Sequence, residues 1–199
     1  MKKYLPRGFT MIELLIVIAV LGILAVAVLA AINPIEQINR GRDTGTRSDS
    51  EQLISAIDRY YASKGYYPWM LNASSDNDFV DFTQIIAIDQ GIGTDAQPML
   101  ENLSAAGTEE LKLTFVNRIV AASANLLSIY KMTGGGYSTY ICFIPKSSSF
   151  RTEAYKRCVA DPDYGTIPPD FPETEACPDA DCKGAASSNL ATACYQCLP

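Results

Sequence analysis

Six cysteines, Cys142, Cys158, Cys177, Cys182, Cys194 and Cys197, are the most reactive side chains in this sequence. "CPDADC" and "CYQC" each bring two sulfurs into one short loop, a spacing that could hold zinc through four thiolates. The same residues could instead form three disulfides, the outcome expected in an oxidising compartment, and their order in the chain does not select a pairing. A redox role for "CYQC" would need a helix start that lowers a thiol pKa, and no βαβ pattern precedes it. Seven carboxylates crowd the same region: Asp161, Asp163, Asp170, Glu173, Glu175, Asp179 and Asp181. Of these, Asp161, Asp163, Asp179 and Asp181 are the candidates for calcium, which prefers oxygen-rich loops. No run matches an EF-hand, and a solvated acidic loop is the plainer reading. Asp76, Asp78 and Asp81 form a weaker acidic group. The chain has no histidine, so Ser/His/Asp and Cys/His arrangements are excluded. No enzymatic activity and no resident cofactor are expected.

One further carboxylate is out of place. Glu13 lies at the start of a greasy run, "RGFTMIELLIVIAVLGILAVAVLAAI", in which Leu14 to Ile32 are 19 consecutive apolar or glycine residues. A helix of that length covers about 28 Å, close to the hydrocarbon thickness of a bilayer. A secretory signal has a shorter apolar core, although "AVLAA" at 27–31 could be cut. A plain anchor has no use for Glu13, since a carboxylate costs about 2.5–3.5 kcal/mol at mid-membrane and less near the end. A free amine in the same apolar layer would offset that cost. Cleavage after Gly8 would create one on Phe9.

"RGFTMIELL", with Lys2, Lys3 and Arg7 around its start and an unbroken apolar helix behind it, resembles the class III signal of type IV pilins and type II secretion pseudopilins. The resemblance implies cutting by prepilin peptidase between Gly8 and Phe9, usually followed by methylation of Phe9. It implies that Glu13 pairs with the N-terminus of an adjacent subunit during assembly. The partners implied are identical or related subunits in a helical fibre, the peptidase and an inner-membrane assembly platform. Basic residues flank both ends of the span (Arg40, Arg42 and Arg47 follow it), so the positive-inside rule gives no orientation. Orientation then rests on the resemblance and the cysteines: a single-pass precursor in the inner membrane, and later a fibre outside the cytoplasm.

The elements that must carry these groups follow from periodicity. Asn33-Pro34 predicts a kink or break. The helix then resumes, with Leu53, Ile54, Ile57, Tyr60 and Tyr61 on one apolar stripe expected to pack as core. Gly41 and Gly45 weaken its middle, and Gly65 with Pro68 stops it. "NPIEQINRGRDTGTRSDSEQLISAIDRYYASKGYYP" extends the resemblance toward major-pseudopilin-like proteins, so the match covers about the first 70 residues. Residues 69–110 read as a polar connection, and Thr108–Asn125 as a second helix capped by Thr108. "LLSIYKM" and "YSTYICFIP" flank "TGGGY" as a hairpin. "SFRTEAYKRCVA" reads equally as strand or short helix. The segment 161–199 shows little periodicity.

The expectation is therefore an α+β pilin fold: a long N-terminal helix on a small antiparallel sheet, with a cysteine-rich tail. Its parts would be a leader over 1–8, a transmembrane and fibre-core helix over 9–32, its amphipathic continuation over 33–64, and a head over 65–199 with the tail at 158–199. The expected function is structural, as a subunit of a pilus or pseudopilus. Two alternatives are a minor tip pilin with an adhesive head, and a tethered extracytoplasmic module binding a metal such as calcium. The net charge of −6, which becomes −9 from Phe9 onward, argues against a nucleic-acid partner.

Overall fold

The computed structural model describes residues 8–31, 33–104, 108–121, 126–134, 136–159, 167–178, 182 and 193–199. The chain divides into two compact units, one ending at Ile38 and the other beginning at Asn39. In the first unit, α1 spans Met11–Ala31 and α2 (Pro34–Lys64) begins. Pro34 takes the first helical position, where its missing N–H costs nothing. The Asn33 side-chain oxygen accepts the Glu36 amide at 3.3 Å, as an N-cap should.

The second unit is an α+β head. Its four-stranded sheet has the order β1 (Val80–Gln84), β4 (Ser128–Lys131), β5 (Thr139–Phe143), β6 (Gln196–Leu198), and every neighbouring pair is antiparallel. A small hairpin, β2 (Gly91–Ile92) with β3 (Gln97–Pro98), stands apart. Strand β5, "TYICF", is buried along its whole length, as expected where both faces of a strand are covered. Ile141 and Phe143 enter the main core, while Tyr140 and Cys142 enter a second cluster with Ala176 and Cys197. This is the two-residue alternation of a pleated strand.

Leu53, Ala56, Ile57 and Tyr60 of α2 meet Trp69, Val80, Ile85, Met99, Leu103, Val116, Ile129, Ile141 and Phe143 in the main core. The expected stripe therefore packs as core, with one correction: Tyr61 is 43% exposed. The helix ends where Gly65 adopts a left-handed φ of 78° and its amide bonds the Tyr61 carbonyl at 2.8 Å.

Residues 69–110 are not merely a polar connection. They hold β1, β2, β3 and α3 (Met99–Ser104), and Trp69, Val80, Ile85, Ile92, Met99, Leu100 and Leu103 are buried. Their apolar residues come in runs of one to four at irregular intervals, so no period betrays them. The second helix is also shorter than expected. α4 spans Leu113–Ala121, and residues 122–125 lie outside the described set. Thr108 does not cap it, because its hydroxyl donates to the Asn102 carbonyl at 2.6 Å. "SFRTEAYKRCVA" resolves as a helix, α5 (Ser148–Cys158), capped by Ser147, whose hydroxyl accepts the Phe150 amide. The hairpin flanking "TGGGY" forms as β4 and β5. The tail supplies α6 (Glu173–Ala176) and β6.

Candidate functional site

Helix α1 is apolar on all sides, and no side chain from Phe9 to Leu29 is buried. Phe9 is 82% exposed, and Ile12, Leu14, Leu15, Ile16, Leu21, Ile23 and Leu29 are all more than half exposed. Met11–Leu29 is long and apolar enough to cross a membrane, with a mean hydropathy of 3.1. Covering one such side chain is worth about 1.5–3 kcal/mol, so the surface demands a partner that is itself apolar.

Glu13 has a definite place at the start of this helix. Its Oε2 accepts from the Thr10 amide at 2.9 Å and the Thr10 hydroxyl at 2.7 Å, while its own amide donates to the Thr10 hydroxyl oxygen at 3.3 Å. This is a reciprocal capping box, the T-x-x-E pattern ahead of an apolar run. The pattern is legible in "TMIE", Thr10 to Glu13. Gly8 and Phe9 precede the helix in irregular backbone, and both are exposed.

The α2 segment beyond Asn39 is tied to the head by groups with little sequence signal. Asp43 is fully buried. Its carboxylate accepts the Lys146 amide at 3.0 Å, the Ser147 amide at 2.7 Å and the Ser147 hydroxyl at 2.6 Å. One helical carboxylate thereby fixes the loop that starts α5. Arg47 reaches Glu153 at 3.4 Å, Arg59 reaches Glu110 at 2.8 Å, and Arg118 reaches Asp49 at 2.6 Å. A groove of about 900 Å³ runs beside α2, lined by Glu51, Arg59, Glu110, Phe115 and Arg118 among others. Of its charges, Arg59 and Glu110 pair with each other, while Glu51 pairs with Arg47 and Arg118 with Asp49.

All six cysteines are paired, Cys142 with Cys197, Cys158 with Cys177, and Cys182 with Cys194. Cys142 and Cys197 face each other directly across β5 and β6. The sulfurs of Cys158, Cys182 and Cys194 lie within 4.8 Å of one another, yet sulfur held in disulfides does not offer the thiolates that zinc requires. Cys194 and Cys197, the "CYQC" pair, are bonded to different partners, which removes the dithiol that a redox motif needs. The calcium candidates Asp161, Asp163, Asp179 and Asp181 lie outside the described residues. Asp170, from the same acidic run, serves the fold: it accepts the Ser138 amide at 2.7 Å and the Tyr140 hydroxyl at 3.1 Å. Asp81 accepts the neighbouring Phe82 amide at 2.8 Å.

Comparison with known proteins places this N-terminal segment. Residues 6–29 match the family described as the prokaryotic N-terminal methylation motif. The chain is similar to the fimbrial protein EcpC of Eikenella corrodens, with 37% identity over 68 residues. That match covers 34% of this chain and 43% of the relative, so the chain spans less than half of the fimbrial protein's length. No solved structure matches.

Proposed function

We propose, from the premise that this chain carries the N-terminal segment of the type IV pilin family on an α+β head, that it is a structural fibre subunit. One observation carries the reading: α1 is apolar on every side, uncovered from Met11 to Leu29, and carries a carboxylate in its first turn. Two apolar surroundings can cover such a helix in turn. The bilayer holds the subunit in the inner membrane, and neighbouring copies of α1 replace lipid once subunits enter a helical fibre.

Prepilin peptidase cuts between Gly8 and Phe9, which leaves an amine within reach of a docking subunit's Glu13. Pairing of opposite charges in an apolar layer offsets the cost of placing the carboxylate there. The inner-membrane assembly platform draws the subunits upward. The fimbrial name of the relative favours a surface pilus over a secretion pseudopilus.

The test is intact mass with N-terminal peptide mapping on fibres sheared from the native cell surface. A chain that starts at Phe9, with or without one extra methyl, is expected. Mature material that still begins at Met1 would sink the fibre reading and leave a tethered module. A start beyond Ala30 would make it an ordinary secreted domain.

A further inference from the structure

We propose that the tyrosine-lined recess at the C-terminal end of α2 binds a substituted ammonium ion. The recess holds about 240 Å³, and Tyr61, Tyr66, Tyr67, Met70, Asp76 and Asp78 are among its walls. That volume suits a small headgroup and falls below the range for a drug-sized ligand.

The turn after α2 builds it. Gly65 turns the chain back, so that the tyrosines after the helix meet those inside it. Tyr66 packs edge-on to Tyr60 with centroids 5.9 Å apart. Tyr67 stacks on Tyr61 at 4.5 Å and on buried Trp69 at 4.8 Å. The rings are thus held rigid, and Tyr61 remains 43% exposed on top of a stack whose other members are largely or fully covered. Little rotamer freedom is left to lose when a ligand arrives.

Charge decides the ligand's sign. No lysine or arginine is among the lining residues, whereas two carboxylates are: Asp78, already paired with the buried Lys131, and Asp76. Asp76 is exposed and makes no hydrogen bond or ion pair among the described residues. Burial, then Tyr61, Asp78 and Asp58, push the Tyr67 hydroxyl up to about 12, so the phenol stays neutral in a negative field.

The molecule already uses this chemistry once. The fully buried Lys131 ammonium lies 5.0 Å from the Tyr67 ring centre and 3.0 Å from the Asp78 carboxylate. Its remaining contacts are the carbonyls of Met132, Gly134 and Tyr137 at 3.2 Å, so it is not available to a ligand. Tyr61 and Asp76 line the same recess as an exposed ring and an exposed carboxylate. Ammonium groups are drawn to aromatic faces by the ring quadrupole, and a nearby carboxylate adds to that attraction.

The test is ligand-observed saturation-transfer NMR on the full chain in a polyoxyethylene detergent, with choline chloride titrated against sodium chloride at equal ionic strength. Saturable transfer to the choline methyls is expected. Tyr61→Ala and Asp76→Asn should each weaken it at least fivefold with unchanged circular dichroism, because both side chains are exposed. Competition by n-butylammonium would extend the site to lysine-type amines, and its failure would restrict the site to quaternary headgroups. Both of these results support an ammonium site. The proposal is overturned by non-saturable transfer, by equal binding to both variants, or by methyl glucoside saturating the recess where choline does not.

Discussion

Asp43 shows how much one side chain can hold. Replacing it with alanine removes the acceptor of the buried Ser147 amide and hydroxyl and of the part-buried Lys146 amide, and each buried unsatisfied group costs about 1–3 kcal/mol. Asp43→Ala is therefore expected to lose about 3 kcal/mol, read from urea unfolding followed by the fluorescence of Trp69, the sole tryptophan. A loss below about 1 kcal/mol would mean that water replaces the carboxylate. Three other buried groups set the alkaline limit. Tyr60, Tyr67 and Tyr140 are pushed up from 10.0 to about 12, in each case chiefly by burial. Because the folded values lie above the unfolded one, this contribution to stability is complete below pH 10 and is lost as the pH rises toward 12. A pH-jump absorbance titration should show a late tyrosine class near pH 12, and Tyr140→Phe should remove one member of it.

Among the elements, α2 combines a firmly packed half with a weak stretch. Gly41 and Gly45 sit in the helix on either side of anchored Asp43, and a Cβ at either position would meet nothing within 4 Å. Gly41→Ala and Gly45→Ala should each raise stability by about 1 kcal/mol and increase amide protection over residues 40–46. If the helix must loosen there during assembly, the double variant will unfold later yet yield fewer fibres. An unchanged fibre yield would assign the glycines no part in assembly. The same helix shows what a sequence discloses. The 3.6-residue spacing of Leu53, Ile57 and Tyr60 announced a core face, and Gly65 announced the stop. Asp43 gave no sign, because a buried carboxylate in a helix reads like a solvated one until its partners, over 100 residues away, are known. Trp69, Ile85 and Ile92 stayed hidden for a related reason: each fills the core from a short, irregular element. The N-terminal segment was plain because its signal is local, with order and spacing all contained in "RGFTMIELL".

For the molecule as a whole, the disulfides close the head at three lengths. Cys142–Cys197 spans 55 residues, Cys158–Cys177 spans 19, and Cys182–Cys194 spans 12. Loop-closure entropy makes the longest worth about 4 kcal/mol and the others about 3 kcal/mol each. The double variant Cys142→Ser with Cys197→Ser should therefore unfold at a lower urea midpoint and retain the other two bridges in non-reducing peptide maps. A midpoint unchanged from the parent chain would show that β6 holds its place through backbone pairing alone. The pairing pattern also has a consequence for biogenesis. If the head is exported as proposed above, Cys142 emerges before any other thiol, and the next to appear is Cys158. At about 5–20 residues per second, several seconds pass before Cys197 follows it. Oxidation in order of emergence would join Cys142 to Cys158, Cys177 to Cys182 and Cys194 to Cys197, and none of these is a native bond. Export of the proposed subunit in good yield would then depend on a host that can shuffle disulfides as well as make them.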